Sequence, residues 1–101
     1  MIDWERALRL WGQEATLRTA LERFAQDSVG FTALHRAVQA QDGAALKSAA
    51  HRLHGAAANL ALSDIQACAR RLEHASSQPD AARDWPDLLS DLARARQALQ
   101  S

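Results

Sequence analysis

Apolar side chains recur at helical spacing through most of this chain. Leu17, Leu21 and Phe24, then Phe31, Leu34 and Val38, hold intervals of three and four residues and predict helix from Gln13 to Ala40. Asp27-Ser28-Val29-Gly30 interrupts the propensity, so this stretch is one kinked helix or two. Before it, Asp3 is placed to cap a short helix that runs to about Trp11 and is ended by Gly12, with Ile2, Leu8 and Trp11 as its apolar residues. After it, Gln41-Asp42-Gly43 is a turn, and Asp42 can cap a helix reaching about Ala61. Ser63 and Gln66 are spaced as a capping box, which opens the next helix after a very tight turn and carries it to about Ser76. The segment from Ser76 to Asp84 is a polar, proline-bearing linker. Asp84-Trp85-Pro86 then starts a last helix bearing Leu88, Leu89, Leu92, Ala95 and Leu99.

Long helices joined by short turns predict an all-α fold: an antiparallel up-and-down four-helix bundle, with the short extra N-terminal helix packed across one end. Composition agrees, because alanine and leucine dominate, tyrosine is absent and only two prolines occur. At 101 residues the chain is expected to form one domain, residues 1–101, and to be a monomer.

Charge narrows the choice of partner. Twelve basic residues balance twelve acidic ones, so the electrostatic footprint of a nucleic-acid or anionic-membrane binder is missing. Proteins or small molecules are the expected partners, with no nucleic acid and no direct membrane contact. The single cysteine, Cys68, cannot form an internal disulfide, and the N-terminus lacks a signal-peptide layout. No apolar run approaches the ~20 residues needed to span a bilayer. These features point to a cytoplasmic protein, with any membrane attachment lying outside this chain.

One stretch asks for a chemical explanation. Ala49 to Leu60, AAHRLHGAAANL, has the composition of a helix interior yet carries two histidines and a glycine. At 100° per residue, with Lys47 as zero, Leu46, Ala49, Ala50, Leu53, Ala56, Ala57 and Leu60 fall between about 180° and 300°, the expected core face. Ala44, Lys47, His51, His54, Gly55 and Ala58 fall on the opposite strip, so both histidines are expected to face water. A glycine inside such a face costs ~1 kcal/mol relative to alanine. What Gly55 and Ala58 provide is bareness: a partner surface can descend on His51 without meeting side chains.

The hairpin supplies a second group. About a turn centred near Leu62, His51 and Glu73 lie eleven residues to either side and should sit level. Ile65, Cys68, Ala69 and Leu72 form the apolar stripe of the second helix, with Glu73 on its edge. A carboxylate there can hold one imidazole nitrogen, fixing the tautomer and leaving the other as an oriented nucleophile.

These residues resemble those of the histidine-containing phosphotransfer (HPt) domains of bacterial and fungal phosphorelays. The family pattern A-H-x-L-K-G-x-A-x-x-x-G, followed later by a cysteine or small residue and L-E or L-Q, is met at Ala50, His51, Leu53, Gly55, Ala57, Asn59, Leu60, Cys68, Leu72 and Glu73. The stretches Leu8–Asp27 and Leu34–His51 are similar to the family's opening segments, so the likeness covers nearly the whole chain. It implies that His51 carries the phosphoryl group, that Glu73 orients its ring and that Gly55 permits docking of a response-regulator receiver domain, which brings Mg²⁺. The chain then needs no cofactor of its own. Two positions depart from the pattern. His54 stands where lysine is usual, and Ala61 where glycine is usual. A lysine is fully charged near neutral pH and a histidine only partly so, which leaves Lys47, one turn before His51, as a substitute phosphoryl contact beside His54. An imidazole, substantially neutral near pH 7, can attack without a dedicated base. No Gly-rich phosphate loop or kinase-like block is present, so the expected role is a relay intermediate without kinase activity rather than an enzyme. It is free-standing or the cytoplasmic C-terminal part of a membrane-bound hybrid sensor histidine kinase.

Plainer readings stand beside these. An exposed helix histidine is ordinarily solvated surface, Glu73 can pair with Arg70 on its own helix, and Lys47 and His54 can belong to a solvated face. Leu8 and Trp11 either form an apolar docking patch for the receiver or pack over the bundle end. A non-catalytic helical interaction module is the main alternative. A metal site of His51, His54 and Glu73 is another, but His74 falls on the far side and no Glu-x-x-His pair exists, so no metal ligands are assigned.

Overall fold

Two aspartates start helices where the sequence places them. In the computed structural model, which describes residues 2–26 and 28–100 apart from the side chains of Ser28, Val29, Pro79 and Gln100, Asp3 Oδ1 accepts from the Arg6 amide at 3.1 Å and opens α1, Trp4–Trp11. Gly12, at φ 78°, closes α1 with its N–H donated to the Leu8 carbonyl at 2.7 Å. The next stretch is two helices, α2 Glu14–Gln26 and α3 Ser28–Gln39; Asp27, part of the predicted interruption, lies outside the described residues. Asp42 Oδ1 accepts from Ala45 at 3.1 Å and starts α4, Gly43–Asn59. Helix α5 is Ser63–Ser76 and α6 is Trp85–Gln100. The expected polar linker is in large part a 3₁₀ helix, Pro79–Asp84.

The α4–α5 turn corrects one expectation. Ser63 is not a cap. Leu62 occupies the capping position, no side chain caps α5, and Ser63 lies inside the first turn. The reason is how α4 ends. Leu62 N–H donates back to Ala57 O (2.9 Å) and Ala61 N–H to Ala58 O (3.1 Å), the paired bonds of a Schellman closure. Ala61 takes the left-handed conformation this closure needs, φ 54°, at a cost of about 1–2 kcal/mol that a glycine avoids. Leu62 is thereby drawn into the core.

Packing makes the chain all-α, a helical bundle. Helix α4 lies most extensively on α5, α5 on α6 and α3 on α4, and α6 returns to both α2 and α3. Leu17, Leu34, Leu46, Leu62, Ile65, Leu72 and Leu92 are fully buried along a body of 43 × 20 × 19 Å. Ala50 and Ala57 on α4 and Ala69 on α5 are fully buried, and side chains this small suit helices packed as extensively as α4 and α5. Helix α1 lies across the turn end: Asp3 N–H donates to Ala61 O at 3.0 Å, Ile2 bridges to Leu62, and Trp11 Nε1 donates to Asn59 O at 2.7 Å. Its buried residue is Ala7, while Trp4, Leu8 and Leu10 are exposed.

At the far end, Gly43 marks a close approach. A Cβ there sits 2.8 Å from the Ser76 carbonyl oxygen and 3.6 Å from the Trp85 ring, whose Nε1 donates to Ala75 O at 3.2 Å. Backbone must move to admit it. Gly43→Ala is expected to destabilise the fold by about 1–3 kcal/mol despite alanine's better helix propensity. Urea unfolding checks this, as a lowered midpoint with an unchanged slope.

Candidate functional site

The site is built on the α4–α5 hairpin. The tight turn brings α5 back along α4, and the extensive packing of the two helices lets side chains on their shared edge meet. His51 Nδ1 lies 2.9 Å from Glu73 Oε1, so the level pairing counted from the turn is realised. The imidazole is 71% exposed while the carboxylate is only 24% exposed. A carboxylate only accepts, so the proton between them belongs to His51 Nδ1. Nε2 then keeps its lone pair and faces the solvent side, without a partner among the described residues.

His54 departs from expectation. It does not face open water: its side chain is 27% exposed and turned against α5, with Nδ1 3.8 Å from Glu73 Oε2 and Nε2 3.4 Å from Gln66 Nε2. The wheel placed it correctly on α4, but α5 covers that edge of the strip. Ala56 departs in the opposite sense, lying exposed rather than in the core, where it lines a hollow with Trp11, Thr19 and Asn59. Lys47 is exposed one turn before His51. Gly55 is exposed with nothing within 4 Å of an added Cβ, and Ala58 is half-buried beside it.

Glu73 engages both imidazoles, and among the described residues it makes no ion pair with Arg70. Trp11 is half-buried and tied to the Asn59 carbonyl, eight residues and about 12 Å along α4 from His51. Leu8 is exposed on α1. His74 lies elsewhere, its Nε2 3.2 Å from Gln78 Nε2. Gln66 was missed in the sequence because its spacing from Ser63 read as a capping box; its amide instead faces His54. One nitrogen from each of His51 and His54 and one Glu73 oxygen lie within 4.8 Å of one another.

A family model described as the Hpt domain matches residues 15–101. The chain belongs to the Hpt domain family. Hpt domains carry phosphoryl groups on histidine in two-component signalling, act as carriers rather than kinases and interact with receiver domains. The match to the Hpt domain begins within α2, so α1 lies ahead of it. No curated protein and no solved structure matches the chain. No helix among the described residues of this Hpt domain is long and apolar enough to cross a membrane.

Proposed function

We propose that this Hpt domain is a relay intermediate whose His51 accepts a phosphoryl group from a receiver-domain aspartate and passes it to another receiver. The observation that supports this most is the 2.9 Å pairing of His51 Nδ1 with Glu73 on an otherwise exposed ring. It leaves Nε2 as the outward nucleophile. In the forward step the Nε2 lone pair forms the N–P bond, the acyl-phosphate P–O bond breaks, and its electrons leave on the aspartate carboxylate. Positive charge develops on the ring during attack, and the Nδ1–H bond to Glu73 stabilises it. Little covalent work falls to the scaffold; positioning nucleophile and phosphorus in line carries the catalysis. The receiver supplies Mg²⁺ beside its aspartate. Gly55 and Ala58 leave the approach to His51 bare, exposed Lys47 stands one turn before it to meet phosphoryl oxygens, His54 joins that contact only by turning out from Glu73 and Gln66, and Leu8 with Trp11 extends the docking surface at the turn end. The carrier works as a monomer in the cytoplasm, free-standing or attached to a hybrid sensor kinase.

The test is transfer of label from a panel of phosphorylated receiver domains, with Mg²⁺, onto the purified chain. Glu73 gives it a graded readout. A hydrogen bond to a charged group contributes about 1.5–3 kcal/mol, so Glu73→Ala is expected to slow transfer about 10- to 100-fold. Glu73→Gln, which can still accept from Nδ1–H, is expected to lose less. Equal rates for all three proteins remove Glu73 from the reading.

A further inference from the structure

We propose that His51, His54 and Glu73 form a binding site for a late first-row divalent ion such as Zn²⁺, and that its occupancy silences His51 by moving the ring proton from Nδ1 to Nε2. The binding half stands on geometry alone; the silencing half rests on the phosphotransfer reading above.

The donor set is two imidazole nitrogens and one carboxylate oxygen, a combination that suits zinc and leaves a fourth position for water. Zinc bonds of about 2.0–2.2 Å arranged tetrahedrally put donor atoms about 3.3 Å apart. His51 Nδ1 lies 2.9 Å from Glu73 Oε1 and His54 Nδ1 3.8 Å from Glu73 Oε2, separations of that order that end on the two oxygens of one carboxylate, which turns to present a single oxygen to both rings. All three donors already lie within 4.8 Å of one another, so side-chain rotation alone closes the set. Two of the donors, His54 and Glu73, are largely covered and come from facing helices, which holds them in place before the ion arrives. Gln66 provides the outer support. With a metal on Nδ1, His54 carries its proton on Nε2, and the Gln66 amide, 3.4 Å away, can turn its oxygen to accept it. Mg²⁺ prefers oxygen ligands and keeps its waters, so the ion that serves a receiver does not compete here. His54 is decisive. The lysine usual in the resembling pattern places a cation at this position, where histidine places a ligand.

Silencing follows from proton bookkeeping on one ring. Nδ1 cannot both donate to Glu73 and bind a metal. When the metal takes the Nδ1 lone pair, the proton leaves that nitrogen for water and a proton from water adds to Nε2, so the neutral ring is preserved. Nε2 then has an N–H and no in-plane lone pair, and no N–P bond can form until the metal is withdrawn.

The experiment uses the whole chain without an affinity tag. ZnCl₂ is titrated in competition with a chromophoric chelator, and helix content is followed by circular dichroism. Wild type is expected to bind one equivalent. His54→Lys and Glu73→Gln are expected to weaken association more than about tenfold with helix content unchanged, since loss of even an outer-shell partner costs about 10- to 100-fold. Absence of zinc binding by wild type, or equal binding by both variants, overturns the site. Long-range ¹H–¹⁵N spectra read the His51 tautomer directly: a proton on Nε2 in the zinc form supports silencing, and one retained on Nδ1 overturns it. Zinc is further expected to stop labelling of wild type, reversibly with a zinc-selective chelator, and to leave labelling of His54→Lys at whatever rate that variant shows without zinc. Failure of the metal-free protein to take label from any receiver sinks the relay reading instead, while the binding and tautomer measurements still decide the metal site.

Discussion

His51→Gln is expected to take no phosphoryl label from any receiver domain while remaining as folded as wild type. The two halves of that result have separate causes. The imidazole is 71% exposed and contributes no core packing, so replacing it belongs with surface changes whose stability effect stays within about 0.5 kcal/mol. Glutamine keeps a donor that can reach Glu73 but has no nitrogen lone pair able to attack phosphorus. The loss therefore falls on chemistry alone. The measurement is label transfer with Mg²⁺, scored for an acid-labile, alkali-stable product, alongside circular dichroism. Label persisting on the variant moves the accepting residue to His35, His54 or His74, the remaining histidines. Of these, His54 and His74 already have ring nitrogens close to amide groups of Gln66 and Gln78, which leaves them less free than His51.

What the sequence made legible was whatever local chemistry decides. Asp3 and Asp42 cap because a short carboxylate preceding an apolar-periodic run can reach the amide three residues on, and nothing distant competes. The level pairing of His51 with Glu73 also came through, because an antiparallel hairpin with a tight turn fixes register by counting. Ser63 failed for a tertiary reason: burying Leu62 and closing α4 on Ala57 and Ala58 shifts the helix start by one residue, and the serine loses its capping position. His54 and Ala56 failed because a wheel describes one helix in isolation. Which edge of a strip is covered depends on where the neighbour lies, and α5 covers His54 while leaving Ala56 open. Gly43 was legible only as part of a turn. That it sits against the Ser76 carbonyl depends on the packing of α4 against the α5 end, two segments far apart in sequence.

Gly55 separates folding from docking, and two substitutions there are expected to act in opposite directions. A Cβ at Gly55 meets nothing within 4 Å, so Gly55→Ala is expected to stabilise the chain by about 0.8–1.0 kcal/mol through helix propensity alone. For a domain of this size that raises the melting temperature by about 4–8 °C. Gly55→Leu is expected to keep most of that gain, because leucine is also a strong helix former and the position is exposed, with nothing within 4 Å of its Cβ. Its cost appears when a receiver arrives. One turn after His51, the isobutyl group stands where the partner surface must descend, and forcing extra carbon atoms into a packed contact costs about 1–3 kcal/mol, about 10- to 100-fold in transfer rate. A melting curve and a label-transfer time course on the same preparations read both effects. A leucine variant that melts higher and transfers as fast as wild type would place the docking surface off this strip. A variant that melts higher and transfers slowly shows that the glycine interrupts a good helix for the sake of the partner's approach, since no described residue comes within 4 Å of a Cβ at that position.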